Sequence, residues 1–445
     1  MSDKRVSVII ASVLGSTLEW YDILIFSVGA LYISNAFFPS INPYSALLGT
    51  LVVFALGFLS RPIGGAVFGH FGDRIGRKPM LVVTMALTGV STGLIGVLPT
   101  YATVGVWAPV SLSLLRLVAG FGLGGEWIGS VLMTAENFER SRGFWVSLVQ
   151  ASGAYGLLLG SVVITILTRL VPQEGMLAYG WRIAFLFSFV LLVIGLYVRF
   201  RISETPSFLA AKKANELARS PYASLAKERK SILLLTTLIS GSSFSFYYYA
   251  VTFTPTLFEL LKIITIQTGL TGLTIFSILH ILGNISGGIF SDKTGRKIPI
   301  IISLITMAVF AYLELAFQGE LLFLFFCGVL GFCQGVGYGP IAALLAEAYP
   351  TNVRFSGAAI SANSGAAFIS GPASYITLWL EGFGIFFSPI YVLLVGISGL
   401  ISLGLMKENN SRDLRGLMSN TVGKNVPRIS NPTNLEISDT PVEHD

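Results

Sequence analysis

Long apolar stretches leave this chain few ways to fold. They run roughly over residues 9–34, 45–69, 79–98, 107–134, 143–168 and 181–199. Past a polar segment they resume over roughly 231–259, 267–290, 299–316, 321–346, 355–380 and 386–406. Most reach the ~20 residues that a helix needs to cross a ~30 Å hydrocarbon layer. The shortest, 299–316, ends near Glu314. None alternates with the period of a barrel strand, so helices are what satisfies the backbone in lipid. Composition agrees: 12% of residues are charged, against roughly 25% in soluble domains. With 53% hydrophobic residues, such a chain cannot clothe a water-facing surface, which argues against a large soluble enzyme. The 48 glycines suit close contact between membrane helices.

The charges between the stretches set an orientation. With the N-terminus inside, the inner segments hold Lys4, Arg5, Arg74, Arg77, Lys78, Arg140 and Arg142, then the basic residues of 200–230, Lys293, Arg296, Lys297, Arg354 and the tail from Lys407. The other side holds Arg169 and Lys262, with Arg182 near the start of a stretch. This is a strong positive-inside bias with both termini cytoplasmic. It accounts for the +6 net charge without nucleic acid. No cleavable signal pattern stands out at the start. Cys327 and Cys333 lie in one apolar stretch, where one helix would keep them apart. The three histidines do not cluster, so no metal site and no cofactor is expected.

A short charged phrase occurs twice. GHFGDRIGRKP at 69–79 returns as GGIFSDKTGRKIP at 287–299, pairing Asp73 with Asp292, Arg77 with Arg296 and Lys78 with Lys297. Each copy follows the second stretch of a set of six. A second echo pairs 121–139 with 331–350, setting Glu136 opposite Glu347, with Arg142 then falling near Arg354. The expected fold is an all-α membrane protein with 12 transmembrane helices in two six-helix repeats. The halves span 1–200 and 231–406, joined by a cytoplasmic linker at 201–230 and followed by a disordered tail at 407–445. Internal repeats of this kind build alternating access in secondary transporters. Aspartates contribute little to orientation, so Asp73 and Asp292 need another role. Together with Arg77, Glu136, Arg142, Arg296, Glu347 and Arg354 they are expected to form a latch, made and broken as the halves rock.

GHFGDRIGRK resembles the signature loop of the major facilitator superfamily. TLEWYD at 17–22, RPIGG at 61–65, RLVAGFGLGGEW at 116–127, AENFERSRG at 135–143, GWRIAFL at 180–186 and ETPSF at 204–208 are similar to the metabolite:H+ symporter family. That family includes proline/betaine, alpha-ketoglutarate, citrate and shikimate carriers. The resemblance reaches to about residue 406 and implies the major facilitator fold, proton-coupled uptake across a plasma membrane and no enzymatic activity. Ile23 and Ala119 depart from the family pattern. The tail is too short on heptads for the coiled coil of some osmosensing relatives, which points away from an osmolyte carrier.

Ionisable groups inside membrane helices are functional candidates. Glu19 and Asp22 share a helix face at i and i+3. Arg116 lies at a compatible depth, and Arg61 and Glu126 lie at similar depths nearer the cytoplasmic end. The repeat sets Cys327 opposite Arg116, Gly337 opposite Glu126, Tyr248 opposite Asp22 and Ser245 opposite Glu19. Intramembrane charge is thus confined to the first half. Asp22 first, and Glu19 second, is expected to carry the proton, tuned by Arg116 and accompanied by Glu126. Arg61 or Arg116 is expected to grip a substrate carboxylate, with Trp20, Tyr21, Tyr247 and Tyr248 walling the cavity. His280 is expected to be packed rather than relaying protons, and Glu314 to be solvated. The substrate is expected to be a small organic metabolite, an organic acid anion by preference, moved by a monomer in contact with membrane lipid. A zwitterionic osmolyte, a uniporter or exchanger, and a transporter-like sensor are the alternatives. No HExxH helix, paired catalytic aspartates or Ser/Lys nucleophile is visible to support an intramembrane enzyme.

Overall fold

A computed structural model describes residues 3–38, 43–138, 140–214 and 229–407, together with Leu225 and Lys227. The first half contains α1 (Asp3–Val28), α2 (Pro43–Arg74), α3 (Arg77–Ile95) and α4 (Trp107–Asn137). It continues with α5 (Arg142–Gln150, resumed at Ser152–Leu170) and α6 (Trp181–Arg201). The second half contains α7 (Lys230–Tyr248, resumed at Thr254–Leu260), α8 (Ile266–Thr294) and α9 (Lys297–Ala316). It ends with α10 (Glu320–Ala348), α11 (Arg354–Ser364, resumed at Ala373–Glu381) and α12 (Ile390–Leu405). Twelve helical spans in two sets of six are therefore present among the described residues. Nine are long and apolar enough to cross a membrane as single helices; the other three are α2, α7 and α11. The tail from residue 408 and linker residues 215–224 lie outside the described residues. Of the linker, Pro206–Lys213 forms a short helix capped by Thr205.

Prolines explain two of the interruptions. In α7 a π-helical turn, Tyr249–Phe253, precedes Pro255, and in α11 another, Gly365–Ser370, precedes Pro372. Proline lacks the N–H that would continue the ladder and crowds the preceding turn, so the helix widens locally. The repeated charged phrase also has a local cause. Gly76 (φ 127°) and Gly295 (φ 95°) make the tight turns from α2 to α3 and from α8 to α9, a backbone region that favours glycine.

Within each half, glycine brings two helices into backbone contact. α2 lies along α4, where a Cβ on Gly64 would strike the Phe121 carbonyl and one on Gly120 the Gly57 carbonyl. α8 lies along α10 in the same manner, with Gly287 against the Val336 carbonyl. In α5, Gly156 and Gly160 face Trp20 and Leu24 of α1. The halves meet where α2 packs on α11 and α5 on α8. Large apolar side chains such as Val193, Phe325 and Leu394 face outward while Asp22, Arg116 and Glu126 are buried. That is the reverse of a water-soluble fold and suits a hydrocarbon surround.

Candidate functional site

Three carboxylate–guanidinium pairs lie inside the first half. Arg116 of α4 holds Asp22 of α1 with both Nη atoms, at 2.8 and 2.9 Å, and Thr92 of α3 donates to the same carboxylate at 2.6 Å. Arg199, at the end of α6, holds Glu126 of α4 through both Nη atoms, and Thr84 donates to it at 2.7 Å. Gly15 leaves the room that the Arg199 guanidinium occupies. Arg61 of α2 approaches Glu19 of α1 at 3.4 Å. Pairing is what makes buried charge tolerable in a low-dielectric interior.

Sequence depth set Arg61 beside Glu126. The structure instead gives Glu126 to Arg199 and Arg61 to Glu19. Arg199 is a partner that the sequence does not point to. It sits at the last position of its apolar stretch, where an arginine reads as an interfacial anchor.

A cavity with about 430 Å³ of free space, its open side included, lies between the halves. The first half contributes Glu19, Trp20, Arg61 and Trp127, and the second Phe244, Tyr248, Tyr338 and Asn363. Asn363 of α11 donates to the Gly124 carbonyl of α4 at 2.8 Å, tying the halves at the cavity wall. Of the expected wall, Trp20, Arg61 and Tyr248 are in place. Tyr21 is not: it is fully buried in the first half, its hydroxyl donating to the Ala184 carbonyl at 2.7 Å. At i+1 from Trp20 it faces another side of α1. Tyr247 stands one layer back, edge-on to Trp20 and stacked on Tyr338. Arg116 and Glu126 are also absent from the lining. Trp127, Phe244 and Tyr338 were not singled out from the sequence, although Trp127 ends the GGEW motif.

His280 is fully buried among Tyr247, Phe276 and Tyr338, with ring centroids 5.4–5.6 Å away. Glu314 is not solvated as expected. It is 1% exposed, and Tyr249 and Cys327 lie within its electrostatic reach.

The eight charged residues of the repeat gather at one face of the molecule. Asp73 accepts from the backbone N–H groups of Phe355 and Ser356 at 3.1 and 2.9 Å, in the first turn of α11. Asp292 accepts from those of Gly143 and Phe144 at 2.8 and 2.9 Å, in the first turn of α5. Both carboxylates thus occupy a helix N-terminus across the boundary between the halves. Glu136 receives Arg77 of its own half at 3.3 Å and Arg354 of the other at 2.8 Å. Glu347 receives Arg296 of its own half and Arg142 of the other, both at 2.9 Å. Of the expected latch residues, Glu136 thus partners the first phrase, and Arg142 crosses to Glu347.

Two repeats of six helices, a cavity between them and a shared charged face are the architecture of a multi-pass membrane transporter. Residues 14–374 match the profile of the Major Facilitator Superfamily, and the chain belongs to that family. It is 34% identical over 427 residues to the inner membrane metabolite transport protein YhjE of Escherichia coli, covering 92% of this chain and 95% of that one. It is 30% identical over 426 residues to a proline/betaine transporter of Salmonella typhimurium, covering 92% and 84%. The solved proton:xylose symporter XylE shares the fold with a TM-score of 0.76 at 18% identity, covering 93% of this chain and 98% of that one.

Proposed function

We propose that this protein imports a small organic metabolite together with protons by alternating access. The observation that carries the reading is the Glu19–Arg61 pair in the wall of a cavity shared by the two halves. An intramembrane acid in the wall of a cavity between the halves is the feature expected of a proton relay. The guanidinium suits a carboxylate-bearing substrate, so an organic acid anion is the preferred cargo. The similarity to metabolite and proline/betaine transporters, and the fold of a proton symporter, support it. The proton rides on one of the two α1 carboxylates. Positive-inside asymmetry supports a cytoplasmic-membrane location with both termini inside. The crossed charge cluster then closes the cytoplasmic face, and rocking of the halves breaks it. Transport needs one chain, a surrounding bilayer, and no cofactor or nucleic acid.

The aromatic wall favours a second reading. Trp20, Trp127, Tyr248 and Tyr338 ring the cavity, and such faces attract quaternary ammonium groups. A zwitterion would place its carboxylate on Arg61 and its cationic end on the rings.

Proteoliposomes holding the purified protein, offered labelled organic acids, proline and glycine betaine under an inward proton gradient, test both readings. Concentrative uptake that collapses with a protonophore supports symport and names the class. Uptake indifferent to the protonophore replaces it with a uniporter or exchanger.

A further inference from the structure

The three buried pairs are built differently. Asp22 and Glu126 are each gripped by two Nη atoms and a threonine hydroxyl, and none of those residues lines the cavity. Glu19 touches Arg61 through one approach of 3.4 Å, longer than a strong charge-assisted hydrogen bond. Its Oε2 is buried without a hydrogen-bond partner, although the side chain is only 3% exposed. Both members of this pair face the cavity.

We infer that the substrate's carboxylate and Glu19 compete for Arg61, and that the proton moved in transport is the one Glu19 binds when it is displaced. This rests on the symport reading above and moves the proton from Asp22, the first expectation, to Glu19. In the empty cavity the carboxylate and guanidinium sum to zero. A substrate carboxylate arriving alone puts two anions around one cation. A proton arriving alone makes Glu19 neutral and leaves Arg61 buried without a counter-charge. Either state carries unbalanced charge through the closed intermediate, which low dielectric makes costly. Substrate and proton together restore zero: an O–H bond forms on Glu19 from water on the open side, and the substrate takes Arg61. On the far side the substrate leaves, Glu19 releases its proton to water, and the pair closes again. No bond of the substrate changes, and one proton travels with the one substrate carboxylate that takes Arg61.

The groups around Glu19 fit this exchange. Asp22 on its own helix is held by Arg116, and Glu126 of α4 is held by Arg199. Tyr248 of α7 and Tyr338 of α10 face it from the other half. Among the described residues, Arg61 is the cation in its reach that no other carboxylate holds.

Infrared difference spectra of the full-length protein in lipid nanodiscs, recorded as pH is lowered without substrate, read the site directly. Arg61→Gln is expected to gain a protonated-carboxyl band at a pH where wild type has none. The band should vanish when Glu19→Gln is added and persist when Asp22→Asn is added. A band that follows Asp22, or no band in Arg61→Gln, overturns the assignment. Should Arg61→Gln not fold, acid titration of wild type, Glu19→Gln and Asp22→Asn answers the same question, with loss of the band in Glu19→Gln alone as the supporting result. Displacement is read by adding lactate, succinate, citrate, proline and glycine betaine in turn to weakly buffered protein. At least one is expected to draw one proton per carrier in wild type and none in Glu19→Gln. Proton uptake unchanged in Glu19→Gln, or none with any compound, overturns it. Protonophore-insensitive uptake with a band that still follows Glu19 would instead remove the symport reading, and with it the transport role of the proton, while leaving the exchange of partners at Arg61 in place.

Discussion

The buried pairs differ in what their loss should do. Asp22→Ala would leave Arg116 buried and uncompensated. Breaking a buried pair from one side costs about 3–5 kcal/mol, so a sharp fall in thermal stability in detergent is expected. Replacing both residues with apolar ones of similar volume should recover most of that loss, since an apolar pair is often as stable as an ionic one. A double-mutant cycle on melting measures the difference. Glu314→Gln is the contrasting case. No ion pair is formed by Glu314 among the described residues. The near-isosteric amide should therefore cost less than Asp22→Ala, read in the same melt. Sequence exposed the acids well, because carboxylates in apolar stretches are conspicuous. It matched Asp22 with Arg116, but not Glu19 or Glu126 with their partners. Which arginine an acid meets depends on how α6 and α2 lie against α1 and α4, and a residue at the edge of a stretch, such as Arg199, carries no mark of having turned inward.

Helices were easier to find than their contacts. Hydropathy located all twelve spans, yet α1 begins at Asp3 rather than near residue 9, because a polar first turn is invisible to an apolar count. The interruptions in α7 and α11 follow from Pro255 and Pro372, but whether such a proline kinks, widens or ends a helix depends on its neighbours. Glycine contacts give the clearest prediction at this scale. Gly120→Val would drive a side chain into the Gly57 carbonyl and the Ser60 hydroxyl. Overpacking typically costs about 1–3 kcal/mol, and here the nearest obstacle is the Gly57 backbone, which cannot turn aside as a side chain can. Gly404 of α12 has nothing within 4 Å of an added Cβ, so Gly404→Val should leave yield and monodispersity unchanged. Size-exclusion profiles of the two variants compare them directly.

For the whole molecule, the duplicated phrase was legible as a repeat, and the crossing of its partners was not. Pairing Glu136 with Glu347 by sequence leaves open whether Arg142 and Arg354 serve their own half or the other. Asp73 is fully buried, whereas the Asp292 side chain keeps 17% of its surface open. Water can compensate for a weakened bond at Asp292 but not at Asp73. Asp73→Asn should therefore shift the equilibrium toward opening of this face by about tenfold, a loss of ~1.4 kcal/mol, and Asp292→Asn by less. Distances between spin labels at Ile75 and Ile298, in a background lacking Cys327 and Cys333, report the populations. Equal shifts would show that burial does not decide the strength of the two ties.

The crossed ties have an implication for symmetry. Asp73 reaches α11 and Asp292 reaches α5; Arg354 reaches Glu136 and Arg142 reaches Glu347. Each contact has its twin with the roles of the halves exchanged, which is the pattern of an isologous interface. Two separate six-helix chains carrying one copy of the phrase would make the same set of contacts on meeting face to face. This charged face therefore has the form of a homodimer seam contained within one polypeptide. Asp22, Arg116 and Glu126 lack such twins, so the charged interior departs from the symmetry that this face keeps.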